Sequence, residues 1–132
     1  MQSSFKDLRV WQEAMRFAVT VYRTSANFPK RELYGLSQQL RRAAVSIPSN
    51  IAEGKGHRSN REFRNFLMHA RGSLLEVQTQ IMIAQELQYI SAEDGKELLA
   101  SSDAIGRGLN GLINSMERGL PEAKSERRTT SN

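Results

Sequence analysis

The sequence has no cysteine, three prolines and one tryptophan among its 132 residues. Without cysteine it can form neither a disulfide scaffold nor a zinc or iron–sulfur site built on thiolates. No apolar run approaches the roughly 18 residues that a membrane-spanning helix needs. The N-terminal residues do not combine a basic start with an apolar stretch, so we expect a protein that is not exported and stays in the cytoplasm.

Positive charge is distributed unevenly along the chain, whose net charge is +5. Residues 1–66 hold 12 Lys and Arg against 5 Asp and Glu, whereas residues 67–132 hold 7 against 9. A basic half of this kind raises the expectation of a polyanionic partner, which includes RNA, DNA and acidic protein surfaces.

Helix-start signals and helix-breaking residues divide the chain into four long segments. Capping boxes begin at Ser4, Ser59 and Ser91, and the breaks fall at Phe28-Pro29, at Gly54 and Gly56, and at Gly119 and Pro121. The predicted helices cover residues 4–27, 32–54, 59–88 and 91–118, and the polar tail 119–132 is predicted to be disordered. Pro48 interrupts the second helix without ending its apolar periodicity, so we expect a kink there.

Apolar residues recur in each segment at the three- and four-residue spacing of one buried helical face. We assign the core row of the first helix to Leu8, Trp11, Met15, Ala18, Val19 and Tyr22. Comparable rows follow in the other helices, from Leu33 to Ile51, from Phe63 to Ala84 and from Leu98 to Met116. Four such helices joined by short loops predict an all-α fold, an antiparallel up-and-down four-helix bundle formed by residues 1–118.

Two helices carry a second apolar row that a single bundle does not need. The additional residues are Val10, Ala14, Phe17 and Val21 in the first helix, and Met68, Leu75 and Met82 in the third. Scattered apolar residues are common on protein surfaces. Ordered rows are more typical of contacts between subunits, so we predict a homo-oligomer whose interface contains these seven residues.

The chain offers little material for catalysis or for a metal site. Its two histidines, His57 and His69, are not part of the Glu-x-x-His motifs of a di-iron bundle. The Gly54-x-Gly56 pair follows a helix, whereas a phosphate-binding loop opens one. No serine lies in a nucleophile-elbow context. We therefore expect no enzymatic activity, no cofactor and no metal.

Basic residues form rows and clusters on three of the predicted helices. The candidate nucleic-acid-binding residues are Arg9, Arg16, Arg23, Arg41, Arg42, Lys55, Arg58, Arg61, Arg64 and Arg71. Arginine forms bidentate contacts with phosphate, and such a set can bind a nucleic-acid backbone without reading its bases. The alternative is a solvated surface with local ion pairs, for example between Arg9 and Glu13.

The segment around Pro48 is unusually polar for a helix interior. Asn50 and Glu53 lie one turn apart just after the proline. We interpret both as structural groups that satisfy backbone atoms near the proline and the helix end. The alternative is a polar specificity element at an interface.

Three stretches of sequence resemble a known family. They are Phe5-x-x-Leu8-x-Val10-Trp11-Gln12, then Phe28-Pro29-x-x-Glu32-x-Tyr34-Gly35-Leu36, then Gln39-Leu40-Arg41-Arg42-Ala43-Ala44-x-Ser46-Ile47-Pro48-x-Asn50-Ile51-Ala52-Glu53-Gly54, with Gly72-Ser73-Leu74-x-Glu76 continuing the match. The pattern is similar to the four-helix-bundle proteins encoded in intervening sequences of bacterial 23S rRNA genes, the S23 ribosomal protein family. This family includes the accessory variability determinant of diversity-generating retroelements.

The resemblance implies a four-helix subunit that assembles into a barrel-like homopentamer. For the retroelement branch it also implies a basic surface that binds RNA or DNA and docks a reverse transcriptase. Our first hypothesis is therefore a non-enzymatic, oligomeric nucleic-acid-binding accessory protein. The second is a protein-interaction scaffold without physiological nucleic-acid binding.

Overall fold

The structure, a computed structural model, describes residues 4–118. Four α-helices lie in this range: α1 (Arg9–Ser25), α2 (Leu36–Lys55), α3 (Asn60–Glu86) and α4 (Ala92–Arg118). Short 3-10 turns at Phe5–Asp7 and Lys30–Glu32 precede α1 and α2, and residues 4–118 contain no strand. The all-helical fold and the four helices predicted from the sequence are confirmed, while the tail 119–132 lies outside the described residues.

Helices α1 and α2 begin later than the sequence pattern predicts, because local backbone geometry sets their first residues. Ser4 and Asp7 form the predicted capping box. However, the box caps a 3-10 turn, and the extended backbone of Leu8 (φ −74°, ψ 123°) separates that turn from α1. Helix α2 begins at Leu36 instead of residue 32, because Gly35 (φ −117°, ψ −115°) lies outside the helical region.

Each helix packs against its two neighbours in a square arrangement, with α1 beside α2 and α4, and α3 beside α2 and α4. Successive side-chain contacts show that α3 and α4 run antiparallel, because Arg64 meets Glu117, Arg71 meets Asn110 and Gln78 meets Asp103. Between α2 and α3, Ser46 meets Ser73, with 2.8 Å between the hydroxyl oxygens. The rows predicted for α2, α3 and α4 are buried from Leu40 to Ile51, from Phe63 to Ala84 and from Leu98 to Leu109. This core holds the four helices together.

The predicted core face of helix α1 is wrong. Met15, Val19 and Tyr22 are 41%, 44% and 47% exposed, although Ala18 is buried and Leu8 and Trp11 pack partly against the core. The row assigned to a subunit interface is buried inside the bundle instead: it consists of Val10, Ala14, Phe17 and Val21.

The physical reason for this exchange lies in residue size and polarity. The buried row has no polar side-chain atom, whereas the other row contains Trp11 and Tyr22, whose polar atoms need partners. Val10 also fits closely over Gly108 of α4, where an added Cβ would lie 2.9 Å from a Val10 methyl carbon. The row of smaller residues therefore lets α1 approach α4.

Helix α2 runs through Pro48 as one continuous α-helix. Asn50 donates from Nδ2 to the carbonyl oxygen of Ser46 at 2.8 Å and to the Ser46 hydroxyl at 3.0 Å. Ser46 in turn contacts Ser73 on α3. These contacts agree with a structural role for Asn50, whereas Glu53 is exposed. The kink at Pro48 stays a prediction.

A hydrogen-bonded cluster joins the two loops at the end of the bundle where α2 and α4 begin. Glu32 accepts a hydrogen bond from the Leu36 N–H at 3.1 Å and another from the Tyr89 hydroxyl at 2.9 Å. The Tyr89 ring lies 5.4 Å from that of Phe28. The Leu36 amide, the Tyr89 hydroxyl and nearby Arg31 lower the pKa of Glu32 below its usual value of 4.5.

This lowered pKa predicts a pH-dependent contribution to stability. The ionised carboxylate of Glu32 stabilises the fold above pH 4.5, and the contribution is lost as pH falls through the lower pKa of the folded state. We expect Glu32→Gln to be less stable at neutral pH and to lose less stability than the wild type on acidification below pH 4.5. Urea denaturation across this range measures both effects.

Glu76→Gln, on the exposed outer surface of α3, is the matched control because it removes a carboxylate that lies away from these loops. A Glu32→Gln variant with the same acid dependence as the wild type would contradict the proposed role of this carboxylate.

Candidate nucleic-acid interface

The turn between α2 and α3 is built by two local caps. The Gly56 N–H donates to the carbonyl oxygens of Ala52 and Glu53, which ends α2. Ser59 then accepts from the Glu62 N–H at 3.1 Å, which caps α3, and its hydroxyl donates to the Glu62 carboxylate at 3.0 Å, so only the serine half of the predicted capping box forms. The turn is therefore a defined structure that projects basic side chains from the bundle.

His57 lies at the centre of this turn. Its Nδ1 is 2.8 Å from a carboxylate oxygen of Glu62, and its ring stacks on Phe66 with 4.9 Å between centroids. The His69 ring is tilted by 58° against the same Phe66 ring, with 6.4 Å between the centroids. Both histidines thus have packing roles, and the part of the chain that the structure describes contains no group of acidic and histidine residues able to hold a metal ion.

The predicted basic residues around the turn differ in how far they are already engaged. Arg58 and Arg61 are exposed and make no ion pair within residues 4–118. Lys55 lies over the Phe63 ring at 5.9 Å. Arg64 is bound to Glu117 of α4 at 3.1 Å, with both side chains about a quarter exposed. Around this turn, Arg58 and Arg61 are therefore the side chains that can meet an external anion without breaking an ion pair.

Two arginines assigned to the interface hold helices together in this structure. Arg41 donates from Nε to the Ser25 hydroxyl at 2.7 Å and from its terminal nitrogen to the Tyr22 carbonyl oxygen at 3.0 Å. Its guanidinium also lies 4.8 Å from the centre of the Tyr22 ring. Arg71 donates to Asn110 of α4 at 2.9 Å. These contacts cap the end of α1 and join α3 to α4.

The remaining predicted arginines do not form one surface. Arg9 pairs with Glu13 at 3.6 Å, as the alternative interpretation predicted. Arg16 lines a cleft of about 450 Å³ between α1 and α4, together with the acidic residues Asp94 and Glu97. Arg23 borders a different, apolar groove, and Arg42 is exposed on α2. Of the three arginines on α1, Arg9 is thus ion-paired, whereas Arg16 and Arg23 are exposed and make no ion pair within residues 4–118.

The two ends of the bundle differ in charge. We define the basic end by residues 4–9, 53–64 and 117–118, which contain seven Lys and Arg against four Asp and Glu. The opposite end, residues 22–37 and 83–97, contains four Lys and Arg against five Asp and Glu. Positive charge in the candidate nucleic-acid interface is therefore denser at the basic end, while the exposed Arg16 and Arg23 on α1 stay predicted binding residues.

An apolar groove runs between α1 and α2, with a volume of about 590 Å³. It is lined mainly by Phe5, Trp11, Met15, Ala18, Val19, Tyr22, Val45, Pro48 and Ala52. Sequence analysis missed this surface because it placed the exposed row of α1 in the core. One residue does indicate this surface in the sequence, because Val45 is apolar and lies on the otherwise polar side of α2.

A second apolar surface lies on the opposite edge of the bundle. Leu75 and Met82 are 59% and 51% exposed, whereas Met68 packs partly against the core. Leu75 lies on α3 between Arg71 and Gln78, both of which donate to α4 side chains. This row therefore follows the edge formed by α3 and α4.

Comparison with known proteins agrees with the fold. A crystal structure from Bacteroides thetaiotaomicron VPI-5482, of a protein with unknown function from the S23 ribosomal protein family, is similar with a TM-score of 0.72 and 25% sequence identity. The match covers 79% of this chain and 97% of that chain. A comparison with curated proteins gives no match.

Within residues 4–118, none of the helices combines the length and the apolar character that a membrane span requires.

The sequence model of the 23S rRNA-intervening sequence proteins matches residues 6–111, from the first turn to the last third of α4. This range includes the sequence stretches on which the resemblance rests, except for Phe5 at the start of the first one. The chain therefore belongs to the 23S rRNA-intervening sequence protein family.

Proposed function

We propose that this protein is a non-enzymatic, cytoplasmic accessory factor that binds the backbone of RNA or DNA through the basic end of the bundle. The observation that carries the proposal is the exposure of Arg58 and Arg61, beside Lys55, without ion pairs in the described chain. Unpaired arginines on a capped, ordered turn can bind phosphates without first breaking internal contacts.

Charge reversal at the turn tests this proposal. We expect Arg58→Glu combined with Arg61→Glu to weaken binding of a labelled structured RNA or DNA duplex at least tenfold at low salt, because two phosphate contacts per bound subunit are lost. The salt dependence of affinity should also become shallower by about two counter-ions for each contacting subunit. Fluorescence anisotropy over a salt series measures both quantities.

The matched control reverses two lysines at the opposite end, Lys30→Glu with Lys96→Glu, which changes the net charge equally. It should bind nearly as tightly as the wild type. Equal loss in both double variants would show that total charge, and not the basic end, governs binding. If the wild type retards no nucleic acid at low salt, the proposal fails.

We also propose that the protein works as a homo-oligomer, with a pentamer as the form that the family resemblance implies. The apolar groove of α1 and α2 and the Leu75 and Met82 row lie on opposite edges of the bundle. Two different surfaces on opposite edges fit a head-to-tail contact, which forms a ring when the rotation closes. The corrected interface thus contains Met15 and Val19 in place of the buried α1 row.

A single charge in the groove tests the oligomer. We expect Met15→Glu to convert the wild-type oligomer into monomers at micromolar concentration while helical content is retained, because a carboxylate buried between subunits loses its hydration. Light scattering coupled to size exclusion measures the mass. Leu33→Glu changes a residue that is also half exposed but lies outside both apolar surfaces, and it should leave the oligomer intact.

The second candidate function is a protein-interaction scaffold, favoured by the same apolar groove if it receives a partner protein such as a reverse transcriptase. A wild type that light scattering finds monomeric would remove the oligomer proposal and favour this function. The two functions separate cleanly, because the charge-reversal variant at Arg58 and Arg61 should lose nucleic acid but retain a partner bound in the groove.

A further inference from the structure

A cleft follows the contact between α1 and α4 along most of its length. It consists of two hollows of about 450 Å³ each, which meet at Glu13 and Ala104 because both residues line both hollows. One wall is formed by α1 between residues 8 and 24, and the other by α4 between residues 94 and 112. This α1/α4 cleft lies apart from the α1/α2 groove and from the row on α3, so the proposed contact between subunits leaves it open.

Charge alternates in sign along the α1/α4 cleft. From the end where α4 finishes, its charged lining residues are Arg9 and Arg107, then Glu13, then Arg16, then Glu97 and Asp94. Apart from the Arg9–Glu13 pair at 3.6 Å, none of them forms an ion pair within residues 4–118. The cleft therefore presents available charges of both signs in a fixed order.

The sequence that follows α4 carries the opposite charges in the same order. Helix α4 ends at Arg118, about 9 Å beyond Leu112 at the entrance to the cleft. Gly119 and Pro121 come next, and both residue types favour a change of chain direction after a helix. Every second residue is then charged: Glu122, Lys124, Glu126 and Arg128. Because alternate residues of an extended chain share one side, this side opposes the cleft in sign at each step.

The spacing of the two charge patterns also agrees. An extended chain rises about 3.3 Å per residue, and an α-helix about 1.5 Å. Counted from Arg118, Glu122 reaches about 13 Å, while Arg107 lies about 16 Å back along α4. Arg128 reaches about 33 Å, and Glu97 lies about 32 Å back. The segment can therefore follow the cleft without a gap or a shift in register.

We propose that residues 122–128 bind, as an extended segment, in the α1/α4 cleft of their own subunit. The pairs are Glu122 with Arg107, Lys124 with Glu13, Glu126 with Arg16 and Arg128 with Glu97. One exposed ion pair contributes little. Four pairs on a tethered segment act together, because the tether keeps the effective concentration of the segment high. The bound segment closes this face of the bundle to other partners, and it does so whether or not the proposed function is correct.

A spin label beside the cleft tests the proposal in the full chain. The sequence has no cysteine, so Ala100→Cys gives one labelling position, on the exposed surface of α4 next to Ser101. The amide NMR signals of residues 122–128 should lose most of their intensity, and should recover it in about 1 M salt, where charges are screened within about 3 Å. The matched label is Gln39→Cys, on α2 diagonally across the bundle. Equal intensities with the two labels overturn the proposal.

A charge exchange tests the register. In the Ala100→Cys chain, Glu97→Arg should restore the signals of residues 126–128, because two arginines then face each other. Adding Arg128→Glu should make the signals weak again, since the pair is re-formed with reversed signs. The matched control is Glu86→Arg, an equal change of net charge on the exposed surface of α3, and it should leave the signals weak. If Glu97→Arg behaves like Glu86→Arg, the proposed pairing is wrong.

Mixed samples identify which subunit receives the segment. Isotope-enriched wild-type chains are combined with spin-labelled Ala100→Cys chains that are not enriched. The enriched signals should keep most of their intensity, because each segment lies in its own cleft. A loss equal to that of the enriched, spin-labelled chain shows binding to a second copy and overturns the proposal.

Discussion

Phe17→Ala is expected to destabilise the bundle by about 3–5 kcal/mol, the usual cost of removing a buried phenyl ring and leaving a cavity. Phe17 is only 3% exposed and belongs to the row of α1 that faces the core. Urea denaturation followed by circular dichroism gives the free energy of unfolding. The experiment decides which face of α1 is buried, the point on which sequence and structure differ most.

Met15→Ala is the matched control on the other face of α1. Because Met15 is 41% exposed in the subunit, its truncation should change the free energy of unfolding by less than about 1 kcal/mol. Both variants are measured at low protein concentration, where mass action disfavours oligomers. If Met15→Ala lowers the free energy of unfolding more than Phe17→Ala does, the row that the sequence analysis assigned to the core of α1 is the buried one.

Gly54→Ala is expected to cost about 2 kcal/mol, because α2 and α3 approach each other closely at this position. An added Cβ would lie 2.6 Å from the Phe66 Cβ and 3.3 Å from the Phe63 carbonyl oxygen. Forcing the helices apart costs about 1–3 kcal/mol and outweighs the helix propensity that alanine would add. Thermal and urea denaturation measure the change.

Gly72→Ala is the matched control within the same helix pair. Apart from the adjacent backbone of α3 itself, no atom lies within 4 Å of a Cβ at this position. We therefore expect alanine to stabilise α3 by up to about 1 kcal/mol through helix propensity alone. If alanine raises stability equally at both positions, close packing at Gly54 does not set the distance between α2 and α3.

The helices were predictable because their ends are local. The serine hydroxyls of Ser59 and Ser91 cap α3 and α4 in the structure as the sequence indicates. Proline and glycine placement likewise predicts where two of the three loops between the helices fall, at Pro29 and at Gly54 and Gly56. The start of α2 was less predictable, because Glu32 caps its first turn through a contact that also involves Tyr89, which is distant in sequence.

The buried face of α1 was not predictable from periodicity alone. Both rows of α1 are apolar at helical spacing, so periodicity is consistent with either row facing the core. The choice depends on Gly108 of α4, which accommodates Val10 across the helix contact. Val10 and Gly108 are far apart in the sequence, so periodicity within α1 cannot show this contact.

The candidate interface likewise has a part that local sequence predicts and a part that depends on tertiary contacts. The cluster at Arg58 and Arg61 could be read from the sequence, because it lies in one turn. The engagement of Arg41 by Ser25 and of Arg64 by Glu117 could not, since 16 and 53 residues separate the partners. Sequence therefore identifies basic positions, and tertiary contacts decide which of them remain available.

The unequal charge of the two ends gives the molecule an electric dipole along its helices. A polyanion approaching from a distance of about a Debye length exerts a torque on that dipole, so the basic end turns toward it before contact. The association rate constant should then fall with ionic strength more steeply than the dissociation rate constant rises. Orientation during the diffusional encounter, and not only the final contacts, would direct the partner to the turn at Arg58 and Arg61.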